Sequence, residues 1–333
     1  MKRVFMMAVC IIMMSMTASA ITINKALLDH NGEVTLFDGN KIQDAINAAS
    51  DGDVIYLTLG TFKPFNVTKK ITIKGTGETS IIDGDVNISI PSDPTLNNPV
   101  LEALTISGSL KTTNQLTNLI LRQCKIISNF EIGAKVTGGT IERCQLGGMS
   151  FSGIIQDLSI DRCNISNGFA LSSTIEGMTV INSDISGLSA NQGATNNTTF
   201  VNCNLFFGNC SYFSGTIINS IVRHSSHSGN NRTLNSTVLV NTLINTAYMP
   251  LGTSSVQQDC YVVSTYLNWD ISTSTLQANG YLGTDGTVVG IYGGATPYDD
   301  SMLVPSVPKV TSSDIKLDNE KKQLNVKLTV SPQ

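Results

Sequence analysis

The sequence predicts an all-β fold, a right-handed single-stranded parallel β-helix with about 20 residues and three short strands in each turn. Three observations predict this solenoid. A six-residue phrase recurs between Leu119 and Leu267, its copies keep a nearly constant spacing, and the chain is rich in β-branched residues, Asn, Ser and Gly. Strands and turns favour these residue types.

The recurring phrase reads hydrophobic, any, polar, small or Cys, any, hydrophobic. A repeat of about 20 residues indicates a solenoid, in which one copy alone cannot bury its apolar side. Leucine-rich repeats have a similar length but need a dense leucine pattern, so the composition favours the β-helix. The gaps between the small residues are 20, 19, 20, 20, 17, 22 and 23 residues, and these residues are Cys124, Cys144, Cys163, Ser183, Cys203, Ser220, Thr242 and Thr265.

The phrase also predicts a corner between two strands. Its apolar residues stand three before and two after the small residue, and strict alternation would place them on opposite faces of a strand. If both face the core, the chain bends at the small residue and the polar residue before it, and further apolar sets on either side complete three strands per turn. We interpret the corner as a structural ladder with an internal asparagine column, formed by Cys124, Cys144, Cys163, Asn182, Asn202, Cys203, Asn219 and Asn241.

Residues 1–20 are predicted to be a signal peptide. Lys2 and Arg3 provide the positive end, Val4–Met16 the apolar stretch and Ala18–Ala20 a small-residue cleavage site. We therefore expect an exported protein that is periplasmic, cell-surface or extracellular. The apolar stretch is short for a membrane span and the sequence contains no other candidate, so a transmembrane protein is not predicted.

Residues 21–300 form the predicted β-helix domain, with a cap over about 21–60 and turns over about 54–290. An open end would expose the core and unpaired strand edges, so a cap is physically required. Apolar residues repeat at helical spacing within Lys41–Ser50 and predict a short amphipathic capping helix there.

Residues 301–333 are predicted to form a proline-containing link and a C-terminal β-hairpin. Val304–Pro308 is typical of a stiff, extended link. Alternating residues over Ile315–Leu317 and Leu324–Val330 flank a turn that begins at Asp318. The hairpin either seals the coil or is a small docking appendage, and both interpretations stay open.

The first turns resemble the opening of the pectin-lyase-like right-handed β-helix superfamily. The segments that carry the resemblance are Ile42–Ala49, Gly52–Leu57, Gly60–Phe62, Ile71–Gly75 and Ile81–Gly84. The C-terminal segment is similar to those of exported bacterial β-helix proteins of unknown role. The resemblance implies the β-helix fold and allows polysaccharide lyase or glycoside hydrolase activity, but membership of a fold does not by itself supply an activity.

The catalytic motifs of that superfamily are mostly missing from this sequence. Its pectate lyases use clustered aspartates to bind calcium, whereas the aspartates of this region are scattered, at Asp161, Asp184, Asp259 and Asp270. Its polygalacturonases carry Asn-x-Asp, Asp-Asp, His-Gly and Arg-x-Lys, of which only Asn182–Asp184 and Asp299–Asp300 resemble parts. We predict no cofactor and no metal site.

The best catalytic candidates are Glu142, Asp161, Arg143, Arg162 and Asp184. Glu142 and Asp161 hold the same repeat position on neighbouring turns, which places them about 5 Å apart at the spacing of adjacent strands. Because Arg143 and Arg162 stack beside them, a surface charge lattice is the plainer interpretation.

Cysteine and histidine suggest no chemistry of their own. The corner cysteines are expected to be free, buried thiols that fill a small interior slot. A disulfide that involves Cys210 or Cys260 stays open. His224 and His227 fall in a predicted loop without a carboxylate or cysteine that would complete a metal site.

Composition directs the functional prediction towards a non-catalytic module. Removing Lys2 and Arg3 leaves 19 basic residues against 25 acidic ones, a net charge of −6 without a basic block, so nucleic acid is not expected as a partner. A stack of turns presents a long polar face suited to a polysaccharide or a cell-envelope glycan. Aromatic candidates for sugar stacking are Phe206, Phe207, Tyr212, Phe213 and Trp269.

Two alternatives to a carbohydrate-binding or structural module stay open. One is a polysaccharide lyase or glycoside hydrolase of the pectin-lyase-like superfamily. The other is a purely architectural or adhesion protein. Release of sugar products, binding without product, and retention on cell envelopes without glycan binding would separate the three.

Overall fold

The computed structural model describes residues 24–91, 99–191, 196–209, 211–224, 233–246, 249–263, 271–301, 303, 309–318 and 323–331. These residues form a parallel β-solenoid of about 9 turns, with equivalent positions about 20 residues apart. The predicted fold class is therefore confirmed. The predicted signal peptide lies outside the described residues and stays a prediction.

The coil begins behind a cap. Ile42, Ala45 and Ile46 project from one side of a short helix and are buried. The first strand of the cap pairs antiparallel with the first strand of the coil, so the cap covers an edge that would otherwise be unpaired. The cap elements are β1 (Lys25–His30), β2 (Glu33–Asp38), a 3-10 turn (Gly39–Lys41) and helix α1 (Ile42–Ala48).

The first turns contain three short strands each, as predicted. In these turns alternate residues are buried, which is the pattern of a strand with one face on the core. A 3-10 turn (Gly77–Thr79) interrupts the second of them. The strands are β3 (Val54–Leu57), β4 (Gly60–Phe62), β5 (Phe65–Val67), β6 (Thr72–Lys74), β7 (Ser80–Ile82), β8 (Val86–Ile88), β9 (Val100–Glu102), β10 (Thr105–Ile106) and β11 (Leu110–Thr112).

In the middle turns the second and third strands merge. Both β10 and β11 pair with a single long strand of the following turn, so the coil continues with two walls rather than three. The strands are β12 (Leu116–Arg122), β13 (Lys125–Ile132), β14 (Val136–Glu142), β15 (Gln145–Phe151), β16 (Ile155–Gln156), β17 (Ser159–Asp161), β18 (Asn164–Ile165), β19 (Phe169–Leu171), β20 (Ile175–Ile181), β21 (Asp184–Ala190), β22 (Asn196–Val201), β23 (Asn204–Asn209), β24 (Gly215–Ile218), β25 (Ile221–His224), β26 (Val238–Val240), β27 (Leu243–Asn245), β28 (Val256–Gln258) and β29 (Tyr261–Val263).

The two walls are parallel sheets that meet at the predicted corner. Sheet A contains the strand before the corner in each turn, from β3 to β28, and sheet B contains the strands after it, from β4 to β29. Each phrase therefore crosses from sheet A to sheet B.

The corner residue adopts a left-handed backbone conformation in turn after turn. This conformation reverses the strand phase, so that Leu121, Cys124 and Ile126 are all buried, as the phase slip predicts. Asn tolerates positive φ better than most residues, which explains the asparagines of the later turns. The φ angles lie between 44° and 54° at Ala103, Gln123, Arg143, Arg162, Asn182, Asn202, Asn219, Asn241 and Asp259.

The interior ladder consists of the small residues of the phrase. All those described are fully buried. In four of them, Cys144, Cys163, Ser183 and Ser220, the sulfur or oxygen atom accepts a hydrogen bond from a backbone N–H of the turn before. The backbone N–H of Cys124 donates to Cys144 Sγ at 3.5 Å, and that of Cys163 donates to Ser183 Oγ at 3.0 Å. Cys124, Cys144, Cys163, Cys203 and Cys260 are free thiols, as expected for the corner cysteines, and Cys210 lies outside the described residues.

An aromatic stack fills the interior of the later turns. Phe169 lies between Phe151 and Phe200, with ring centroids 5.4 Å and 6.4 Å away. Phe213 continues the stack against Phe200 and Phe207, at 5.9 Å and 5.5 Å. Edge-on and tilted contacts at these distances stabilise a core beyond the apolar area that they bury.

After the last turn the chain reverses and runs back along the outside of the corner. We name residues 281–301 the strap. Helix α2 (Thr273–Ala278) precedes it. The upper strap, residues 281–289, packs on outward-facing apolar residues of sheet B and forms a second, smaller core from Ile221, Leu243, Leu276, Val288 and Val289.

The C-terminal hairpin forms as predicted. Strands β30 (Lys309–Asp318) and β31 (Gln323–Ser331) are antiparallel, with Ile315 opposite Val326 and Leu317 opposite Leu324. They form a sheet of their own, so the hairpin does not extend either wall of the coil by strand pairing.

A substitution of Asn241 tests the corner conformation. Asn241 has a φ of 44° and is partly exposed, so little packing complicates the comparison. We expect Asn241→Val to lower the free energy of unfolding by about 1–2 kcal/mol, because a β-branched residue is strained at positive φ. Asn241→Gly is the control and should be close to neutral. Urea unfolding measures both, and equal losses would contradict the role of the left-handed corner.

Candidate functional site

Glu142, Asp161 and Arg162, three of the five charged candidates, form one cluster at the corner. Glu142 and Asp161 are neighbours in register on sheet A, as predicted. Arg162 Nη2 lies 2.8 Å from Glu142 Oε1 and 2.8 Å from Asp161 Oδ2, and Arg122 Nε lies 3.1 Å from Glu142 Oε2. The carboxylates are therefore neutralised by the guanidinium groups beside them.

Burial raises the pKa of Asp161. The hydrogen bond and the positive charge of Arg162 act in the opposite direction and lower it. Raised carboxyl pKa values are common at active sites, but ion-pair networks produce them as well. Here the ion pairs described above join Arg122, Glu142, Asp161 and Arg162 to one another. We name these four residues, with the neighbouring Arg143, the charge lattice. The arrangement is a surface charge lattice in its geometry.

The strap covers part of this lattice. Asp299 Oδ2 lies 3.8 Å from Arg143 Nη2, so Arg143 pairs with the strap and not with Glu142 or Asp161. In the sequence, Asp299 and Asp300 resemble the Asp-Asp part of the polygalacturonase motif. In the structure it is an exposed partner of Arg143.

Asp184 lies apart from the lattice, beyond the corner on sheet B. It is flanked in register by Asn164 and Asn204. Burial raises the pKa of Asp184, and the charge of Arg223 partly opposes this effect. The structure thus brings Glu142, Asp161 and Arg162 together but leaves Asp184 on another wall.

Two of the proposed sugar-stacking residues are in the core. Phe207 and Phe213 are 0% and 1% exposed, so neither ring can present a face to a sugar, and their assignment to a binding surface is wrong. The physical reason is strand alternation, which turns Phe207 inward beside an outward Phe206. Arg223 lies over the Phe206 ring at 5.7 Å, Tyr212 is 41% exposed, and Trp269 lies outside the described residues.

The asparagines of the corner face outward to the strap. Asn182 Nδ2 donates to Ile291 O at 3.1 Å and to Gly293 O at 2.7 Å. Asn219 Nδ2 donates to Thr284 Oγ1 at 3.1 Å, and Asn219 Oδ1 accepts from the Thr284 N–H at 2.9 Å. The predicted internal asparagine column is wrong at these two turns, because the left-handed corner turns the small residue inward and the asparagine outward.

Sheet A carries an outward face that the sequence reasoning missed. Five half-exposed hydroxyl residues follow one another in register, one per turn, about 4.8 Å apart. They are Thr140, Ser159, Thr179, Thr199 and Thr216. Two residues further along each of the later strands, a half-exposed aliphatic column runs parallel to them, formed by Ile181, Val201, Ile218 and Val240.

The sequence contains the signal for this hydroxyl–aliphatic face. Each hydroxyl residue stands immediately before the phrase, and each aliphatic residue is at the second position of the phrase. Because the first position is buried, alternation turns both neighbours outward. A column of outward threonines was therefore predictable.

Metal and membrane chemistry receive no support from the described part of the chain. Its His, Cys, Asp and Glu residues form no group of three or more that could hold a metal ion. In the same part of the chain, no helix has the length and apolar character to cross a membrane. Comparison with protein-family models, curated proteins and solved structures finds no match to this chain.

Proposed function

We propose that the protein is an exported, non-catalytic module that binds an extended polysaccharide along the hydroxyl–aliphatic face of sheet A. We also propose that it is a non-catalytic relative of the pectin-lyase-like β-helix proteins, on the strength of the sequence motifs in its first turns. Export is inferred from the predicted signal peptide.

The hydroxyl–aliphatic face is the observation that carries the binding proposal. A sugar chain exposes hydroxyl groups and C–H surface in a repeating order, and this face offers hydroxyl and methyl groups at a regular spacing over successive turns. The extended strands hold both columns on a rigid wall, which reduces the ordering cost of binding. Neither column contains a charged residue from Thr179 to Val240, whereas Glu142 and Asp161 continue the aliphatic column in the earlier turns. The later turns therefore favour a neutral polysaccharide.

The charge lattice supports the absence of catalysis. A general acid or base must reach the proton of a substrate, and an activated group is usually free to do so. Glu142 and Asp161 instead share Arg162, and Glu142 also pairs with Arg122. Either carboxylate would have to break its ion pairs with these arginines before it could act on a sugar.

A glycan array with the full chain tests the function, and Thr199→Lys tests the site. Lysine at the centre of the hydroxyl column introduces a long charged side chain, and we expect affinity for a neutral polysaccharide to fall at least about tenfold. Ser189→Lys, on an outward position of sheet B, is the matched control and should bind normally. Binding must occur without release of reducing or unsaturated ends.

Two results would contradict the proposal. Product release abolished by Asp161→Asn or Asp184→Asn would support a lyase or hydrolase instead. Absence of glycan binding together with retention on cell envelopes would support the architectural alternative.

A further inference from the structure

The lower strap, residues 290–301, lies over buried polar groups that it does not satisfy. Asn204 is 1% exposed, and neither its Nδ2 nor its Oδ1 has a hydrogen-bond partner among the described residues. The same holds for Asn202 Oδ1, Arg143 Nε and Asp161 Oδ1. Buried amide groups of folded proteins are normally hydrogen-bonded, so this cluster requires an explanation.

The unpartnered amides point at the strap. A Cβ atom on Gly290 would lie 2.6 Å from Asn204 Oδ1, and one on Gly294 would lie 2.2 Å from Asn202 Nδ2. The strap reaches this close because it has no side chains at these positions. Glycine at these two positions lets the strap lie close over the amides, while the backbone N–H of Gly290 donates to Asn219 O at 2.7 Å and that of Gly294 donates to Thr287 Oγ1 at 2.7 Å.

The upper and lower strap are held differently. The upper strap is anchored by the small apolar core and by Tyr261, whose Oη donates to Leu282 O at 2.8 Å. The lower strap contributes to neither apolar core, although Ile291 is 5% exposed. It rests mainly on polar contacts, from Asn182 to two carbonyls, from the Gly290 N–H to Asn219 O, and from Asp299 to Arg143. Segments with few apolar contacts are the first to open in a folded protein.

Opening of the lower strap would expose a groove along the corner. Its floor consists of Asn164, Asp184 and Asn204 on sheet B and of Asn182 and Asn202 at the corner, with the charge lattice at one end. These side chains repeat at the strand spacing of about 4.8 Å. Amides donate and accept hydrogen bonds, as sugar hydroxyls do, and Asp184 disfavours an acidic chain.

We propose that the lower strap is a displaceable cover on a second binding groove, in which the corner amides bind a neutral oligosaccharide. The choice of ligand rests on the proposed glycan-binding function, whereas the groove is separate from the hydroxyl–aliphatic face. In the closed state the strap carbonyls of Ile291 and Gly293 occupy the position of ligand oxygens on Asn182. The oligosaccharide can bind only when the lower strap is open. The fraction of molecules with a closed strap therefore lowers the apparent affinity.

The Gly294→Val variant tests the proposal, because we expect it to displace the lower strap and open the groove. Its φ of 78° and the short approach to Asn202 make valine incompatible with the closed strap. We expect hydrogen exchange to increase in residues 290–301 but not in residues 281–289. Affinity for a β-1,4-linked glucose hexasaccharide should rise at least about tenfold.

Gly286→Val is the matched control, since Gly286 also has a positive φ, 77°, but its Cβ would meet nothing within 4 Å. An equal rise in affinity with Gly286→Val would overturn the proposal, as would faster exchange in Gly294→Val without a rise in affinity. Adding Asn204→Leu to Gly294→Val should return affinity to that of the original chain, and unchanged binding would overturn the role of the amides.

The outcomes separate this proposal from the proposed function. If Thr199→Lys abolishes hexasaccharide binding while Gly294→Val does not change it, the face of sheet A binds glycan and the groove does not. If no variant binds any glycan, both fail. If only the Gly294→Val variant binds the hexasaccharide, the groove is the glycan-binding site and the face of sheet A is not.

Discussion

Phe207→Ala is expected to lower the free energy of unfolding by about 3–5 kcal/mol, the usual cost of removing a fully buried phenylalanine. The Phe207 ring is 0% exposed and contacts Phe213 at a centroid distance of 5.5 Å, in an edge-on arrangement. Alanine leaves a cavity that the rigid parallel walls cannot collapse to fill, so the loss should fall at the upper end of the range. Urea or guanidinium unfolding followed by circular dichroism measures it.

Phe206→Ala is the matched control, one residue away on the other face of the same strand. Its ring is partly exposed and contacts the Arg223 guanidinium at 5.7 Å. A cation–π contact at a surface contributes about 0.5–1 kcal/mol, so the expected loss is several times smaller. If the two variants lose the same stability, or if Phe206→Ala loses more, the assignment of Phe207 to the core is wrong. Because solenoids unfold in parts, the transition must be checked with a second probe.

The pair Phe206 and Phe207 shows what the sequence makes predictable. Their phrase ends at Leu205, which faces the core, so alternation alone turns Phe206 outward and Phe207 inward. The period, the corner and the interior small residues follow from the same pattern, because each repeats in every turn. The two phenylalanines therefore face opposite sides of the strand and cannot form one aromatic surface.

The strap was not predictable from the repeat, because its contacts are not repeated. Asn182 bonds Gly293 across 111 residues of sequence, and Asn219 bonds Thr284 across 65. One signal was nevertheless present. The outward position after the small residue is polar from Lys125 to Asn204 and then apolar at Ile221 and Leu243. An outward column that turns apolar must be covered by some other part of the chain.

The strap also explains why the candidate site differs from its sequence prediction. Repeat position correctly placed Glu142 beside Asp161, but it could not show that Arg143 turns away to Asp299. The same limitation applies to the corner asparagines. Their positive φ was implied by residue type, whereas the partner of the outward amide lies in a segment without any repeat.

The interior thiols predict a loss of stability in alkali. Burial raises the pKa of the Cys203 thiol to about 12, from an ordinary value of 9.0, and the charges of Asp184 and Asp161 raise it further, against backbone contacts from Ser183 and Val201. Between these values the unfolded chain releases the proton and the folded chain keeps it. The contribution of this thiol to the free energy of unfolding is therefore fully present below pH 9. It is lost as the pH rises towards 12, by about 1.4 kcal/mol per pH unit.

Cys203→Ser isolates this effect. The chain already uses serine at the equivalent positions Ser183 and Ser220, where the hydroxyl donates to a backbone carbonyl at 2.7 Å, so the variant should fold normally. We expect the two proteins to differ little in their pH dependence between pH 7 and 9. From pH 9 to 11 the original chain should lose about 2 kcal/mol more than the variant. Denaturant unfolding under reducing conditions at each pH provides the comparison. Parallel curves up to pH 11 would mean that the Cys203 thiol ionises in the folded state, and hence that the interior ladder admits water.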